Sequence, residues 1–121
     1  MVLPYIRRAE IFWRRSILKV GQIMSKYIQD EKSDMLFRAI LSLETVEDCY
    51  AFFADLCTKA ELREMGRRFE AARLIRMGEK YTDIVEKTGL STATITRVNG
   101  ALREGNGGYV RALDILGVEQ K

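Results

Sequence analysis

Between positions 91 and 99 the chain reads STATITRVN. Ser91, Thr92, Ala93, Thr94, Thr96, Arg97 and Asn99 are small or forked side chains of the kind that pair with base edges and phosphates. Arginine bonds guanine bidentately, threonine offers a donor, an acceptor and a methyl for thymine, and the free amides at a helix start attract phosphate. Ile95, Val98 and Leu102 recur at three- and four-residue spacing and define an apolar stripe on the opposite face. A helix with one lean polar face and one buried face fits a major groove. An ordinary solvated helical pair shares this periodicity, so the pattern alone leaves both readings open.

The elements that must hold this face are legible around it. Tyr81–Leu102 reads as a helix-turn-helix. Thr82 is suited to cap the first helix, Ile84 and Val85 supply its buried side, and Gly89 ends it where a positive φ is cheap only for glycine. Leu90 plugs the corner, and Ser91 or Thr92 caps the second helix. Upstream, Thr58-Lys59-Ala60-Glu61 has the form of a capping box before a long helix. The apolar positions of that helix, Leu62, Met65, Phe69, Ala72, Leu74, Ile75 and Met77, spread beyond one face, and Gly78 closes it. Thr45 starts a further helix whose Val46, Cys49, Tyr50, Phe53, Leu56 and Cys57 form a wide apolar stripe. A helical pattern from Ser33, a glycine-rich link at 105–108 and a short helix at Tyr109–Leu116 complete an all-α domain of about six helices.

Composition narrows the chemistry. The 121 residues are 47% hydrophobic and contain no histidine and two cysteines, Cys49 and Cys57, without CxxC spacing. No metal set is readable, and no nucleophile–base pair or phosphate loop supports an enzyme. No apolar run reaches the roughly 18 residues of a membrane span, which favours a cytoplasmic, nucleoid-associated protein. The net charge is +3. Residues 1–23 hold five basic side chains (Arg7, Arg8, Arg14, Arg15, Lys19) and one acid (Glu10), so the remainder, with 15 basic and 16 acidic side chains, carries −1. DNA contact must then rest on local cations such as Arg67, Arg68, Arg73, Arg76, Arg97 and Arg103.

Residues 1–30 read as an N-terminal extension to a domain at 31–117. Within it, residues 1–23 have three readings: a basic amphipathic helix on a membrane or DNA, an arm across a dimer partner, or a leader ahead of a start at Met24, which is preferred. Two phenylalanines and a tyrosine at 46–57 are more bulk than so small a chain easily hides, which favours an intertwined homodimer.

Across residues 33–116 the chain resembles the Trp repressor superfamily, and within it the YerC/YecD-type bacterial branch. The ATITR run (Ala93–Arg97) and the MGRR element (Met65–Arg68) carry the resemblance. It implies an intertwined all-helical dimer with Ser91–Leu102 as the groove-entering helix. By the same resemblance, Arg68 and Arg97 correspond to the two arginines that flank a tryptophan corepressor. Val98 and Ala101, however, stand where tryptophan-binding members have glycine and serine. The valine adds bulk where an indole would lie, which weighs against tryptophan and leaves another small corepressor open. The resulting expectation is a sequence-specific DNA-binding regulator, a repressor, acting as a homodimer on double-stranded DNA without metal or membrane. The alternative is a helical protein-interaction module with a vestigial helix-turn-helix.

Overall fold

The computed structural model describes residues 30–121 as six helices in chain order and no strand. These are α1 (Glu31–Leu41), α2 (Val46–Leu56), α3 (Lys59–Arg76), α4 (Tyr81–Thr88), α5 (Thr92–Glu104) and α6 (Gly108–Ile115). The readings of residues 1–23 lie outside the described residues. The chain divides into two compact units, with the boundary between Phe52 and Phe53.

In the first unit the helix starts are set by short polar side chains. Asp30 Oδ1 accepts from the Ser33 N–H at 2.8 Å and its Oδ2 from the Ser33 hydroxyl at 2.9 Å, so α1 begins at Glu31, two residues before the expected Ser33. Those bonds, the backbone one foremost, hold the Asp30 carboxyl below the usual carboxylate range. Thr45 caps α2 as expected, its Oγ1 accepting from the Asp48 N–H at 3.0 Å. Asp48 returns a carboxylate oxygen to the amides of Glu44 and Thr45. No residue of α1 or α2 is buried. Val46 and Tyr50 are each 67% exposed, and Met35, Phe37, Leu41 and Leu56 are also open to solvent.

The second unit has a true core. The capping box is complete: Glu61 N–H donates to Thr58 Oγ1 at 3.1 Å, and Thr58 N–H donates to Glu61 Oε2 at 3.0 Å. Downstream, α3 buries Ala71, Ala72 and Leu74, while Met65 near its start stays exposed. Two adjacent alanines let α4 and α5 pack closely on this half of α3. The core is then filled by Ile84, Leu90, Ile95, Val98 and Leu113, with Phe69, Ile75, Tyr81, Val85, Leu102, Tyr109 and Val118 packed around it. Burying each such aliphatic side chain contributes about 1.5–3 kcal/mol.

Helix α6 is fastened to α3 at both ends of its contact. Tyr109 stacks at a tilt on Phe69 with centroids 6.2 Å apart. Arg76 donates to the Val110 carbonyl at 3.3 Å and pairs with Asp114. The glycine link expected at 105–108 is shorter than its composition suggests: Gly107 takes φ +83° and Gly108 already opens α6.

Candidate nucleic-acid interface

Helices α4 and α5, joined by a short turn, occupy the stretch read as a helix-turn-helix. Gly89 adopts φ +72° and its N–H donates to the Val85 carbonyl at 2.8 Å, closing α4. The Thr88 hydroxyl, buried, donates to the Ile84 carbonyl at 2.6 Å and accepts from the Leu90 N–H at 3.2 Å, so the turn's polar groups are satisfied from within. Thr82 does not cap α4. Lys80 is the extended residue before the helix, which places Thr82 one position inside it, exposed and beyond the cap site. At α5, Ser91 and not Thr92 is the cap: its Oγ accepts from the Thr94 N–H at 3.1 Å.

Two faces result on α5. Ile95 and Val98 are buried, Val98 at 3% exposure, with Leu102 half-buried beside them. Ser91, Thr92, Ala93, Thr96 and Arg97 are exposed. Arg97 makes no side-chain hydrogen bond or ion pair with another described residue. Thr96 turns its hydroxyl back to the Thr92 carbonyl at 2.9 Å and leaves its methyl outward. Thr94 is half-buried, its hydroxyl 3.0 Å from that of Ser91, so it serves the cap as well as the polar face.

Several polar groups that the spacing placed on a free surface are engaged in the fold. Asn99 donates to the Tyr81 hydroxyl at 2.7 Å and accepts from Arg103 Nε at 2.9 Å, and the first of these bonds ties α5 to α4. Arg76 is the bolt between α3 and α6, with its Nε buried and unpartnered. Arg73 is held bidentately by Glu70 at 2.6 and 2.8 Å. The Arg73 guanidinium in turn keeps the Glu70 carboxyl below the usual carboxylate range, with a smaller contribution from Lys87. Of the expected cluster, Arg67 and Arg97 have no partner among the described residues, and Arg68 has there a long 3.9 Å contact to Glu64 at an exposed position.

Val98 belongs to the core, whereas Ala101 is exposed. Neither they nor Arg68 and Arg97 line the open groove of about 510 Å³ that runs between α3 and the end of α4. That groove is lined by Arg63, Gly66, Arg67 and Glu70 on one side and Lys87, Thr88 and Gly89 on the other. Sequence spacing gave Arg67 as a local cation and the MGRR element included Gly66, but neither singled out Arg63 or Lys87. Their relation depends on how α4 meets α3.

Residues 31–116 match the family model described as Trp repressor protein. The chain belongs to the Trp repressor family. It is 47% identical over 87 residues to the uncharacterized protein YerC of Bacillus subtilis, covering 72% of this chain and 84% of that one. A TrpR-like protein from Eubacterium eligens superposes with a TM-score of 0.73 at 46% identity, over 77% of this chain and 96% of its own. A candidate Trp repressor from Staphylococcus aureus superposes with a TM-score of 0.74 at 38% identity, over 85% and 98% of the two chains. The six described helices are thus an all-α, TrpR-like fold. Among the described residues no helix is long and apolar enough to cross a membrane.

Proposed function

We propose that this Trp repressor family member is a sequence-specific DNA-binding transcriptional regulator, a repressor, that acts as a homodimer. The observation that carries the reading is the division of α5: Ile95 and Val98 anchor it in the core, while Thr92, Ala93, Thr96 and Arg97 stand exposed behind the Ser91 cap. A helix so anchored offers a guanidinium, hydroxyl and methyl groups, and its first amides, to a major groove. Ser91, Thr92, Ala93, Thr94, Thr96 and Arg97 are the contact residues on this reading.

Exposed Met35, Phe37, Leu41, Val46, Tyr50 and Leu56 support the homodimer, since so many large apolar side chains call for cover. A two-fold dimer sets its recognition helices about 34 Å apart, matching successive major grooves. Arg68, Arg97, Val98 and Ala101 are the positions that a corepressor would meet, and the buried Val98 favours DNA binding that needs no tryptophan.

Selection of bound sites from random double-stranded DNA tests the reading. A palindromic site whose affinity falls steeply with salt is the expected result. No binding to mixed genomic fragments even at low salt overturns it and leaves the protein-interaction module.

A further inference from the structure

Arg63, Gly66, Arg67 and Glu70 lie at three- and four-residue spacing along α3 and so share one face, the wall of the 510 Å³ groove. The charges around the groove are not equally available. Glu70 is occupied by Arg73, and the Lys87 ammonium is held by Glu79 at 2.7 and 2.8 Å. Arg63 and Arg67 have no ion-pair partner among the described residues, so the groove carries two uncompensated guanidinium groups one helical turn apart. Between them sits Gly66. A Cβ there would meet nothing within 4 Å, so no neighbour in this chain requires glycine in mid-helix, and its missing side chain leaves the floor open.

We propose that this groove holds a phosphate group between Arg63 and Arg67. Paired guanidinium forks match phosphate oxygens bidentately, and the groove is open enough to admit a phosphate from solvent. The phosphate is either a free phosphate ester or a backbone phosphate of bound DNA. Only the second source rests on the DNA-binding reading. The site is separate from the polar face of α5 and from Arg68, Arg97, Val98 and Ala101.

The test uses the full chain and two variants, Arg63→Gln/Arg67→Gln and Gly66→Leu; the second keeps both cations, suits a helix and fills the floor. Inorganic phosphate and pyrophosphate are titrated while the amides of Gly66 and Gly89 are followed by NMR, and DNA binding is measured across a salt series. Both variants are expected to weaken anion binding at least tenfold. If the phosphate comes from DNA, the log–log salt slope of the double variant also falls by about 0.9 per lost contact with site preference unchanged. If it is a free ester, the slope stays as in the parent chain. Unchanged anion titration and unchanged slope in both variants overturn the proposal. So does loss of self-association in Gly66→Leu with no saturable anion binding in the parent, which would make the groove a contact between copies. A chain that binds no DNA removes the functional reading, yet the anion titration still decides this one.

Discussion

The side-chain amide of Asn99 on α5 donates to the hydroxyl of Tyr81, the first residue of α4, at 2.7 Å. The bond fixes how α4 and α5 meet, and it is removable with little loss of packing. Tyr81→Phe is expected to lower stability by about 0.5–1.5 kcal/mol, the net value of one partly buried hydrogen bond. Urea denaturation reads this directly. A change indistinguishable from zero would mean that solvent replaces the bond without cost.

Gly89 is the sharpest test of the turn. With φ at +72° and nothing within 4 Å of an added Cβ, the cost of a side chain there is conformational and not steric. Gly89→Ala is expected to cost about 1–2 kcal/mol. Gly89→Asn should cost less, because asparagine tolerates the left-handed region. Equal losses for the two variants would contradict this account.

Arg76 joins α3 to α6 through Val110 and Asp114. Because Asp114 is over half exposed, the pair is weakened by solvent, and Arg76→Ala is expected to cost about 1–2 kcal/mol, not the full value of a buried charged bond. Hydrogen exchange should quicken first in the amides of α6. Uniform quickening across α3, α4 and α5 would show instead that the arginine supports the whole core.

The Glu70 carboxyl is held below its usual range by Arg73. Its folded-state pKa is depressed, so the pair's contribution is present above the unfolded carboxylate value and is lost as the pH falls through the folded one. In an NMR titration Glu70 should ionise at lower pH than in Arg73→Leu. Coincident curves would remove the interaction from consideration.

Tryptophan should neither bind the protein at micromolar concentration nor raise its affinity for DNA. Calorimetry with L-tryptophan, and DNA binding with and without it, measures both. Val98→Ala, which deletes two methyls from the core, is expected to cost about 2 kcal/mol. A loss near zero would mean that Val98 does not plug the helix.

What the sequence made legible was local. Thr58 with Glu61, Gly89, and the Ile95–Val98 stripe are signals carried within one helical turn or one dihedral angle, and each appears where its pattern placed it. The engaged polar groups were not legible, because their partners are remote in the chain. Asn99 meets a residue 18 positions away, and Arg76 meets residues 34 and 38 positions away, so spacing alone left both as free surface. Thr82 shows the remaining difficulty: one residue of uncertainty at a helix start separates a cap from an ordinary exposed side chain.

Val98 has a regulatory consequence if the groove helix is held by the chain's own core. On the proposed reading, a regulator whose tryptophan seat is filled by its own side chain does not report on that amino acid, so with respect to tryptophan its occupancy of DNA follows abundance. When folding and pairing are coupled and most of the chain is unpaired, the dimer varies with the square of the free chain, and halving the free chain leaves about a quarter of the dimer by mass action. Synthesis and turnover of the polypeptide then become the dial, with a response steeper than proportional.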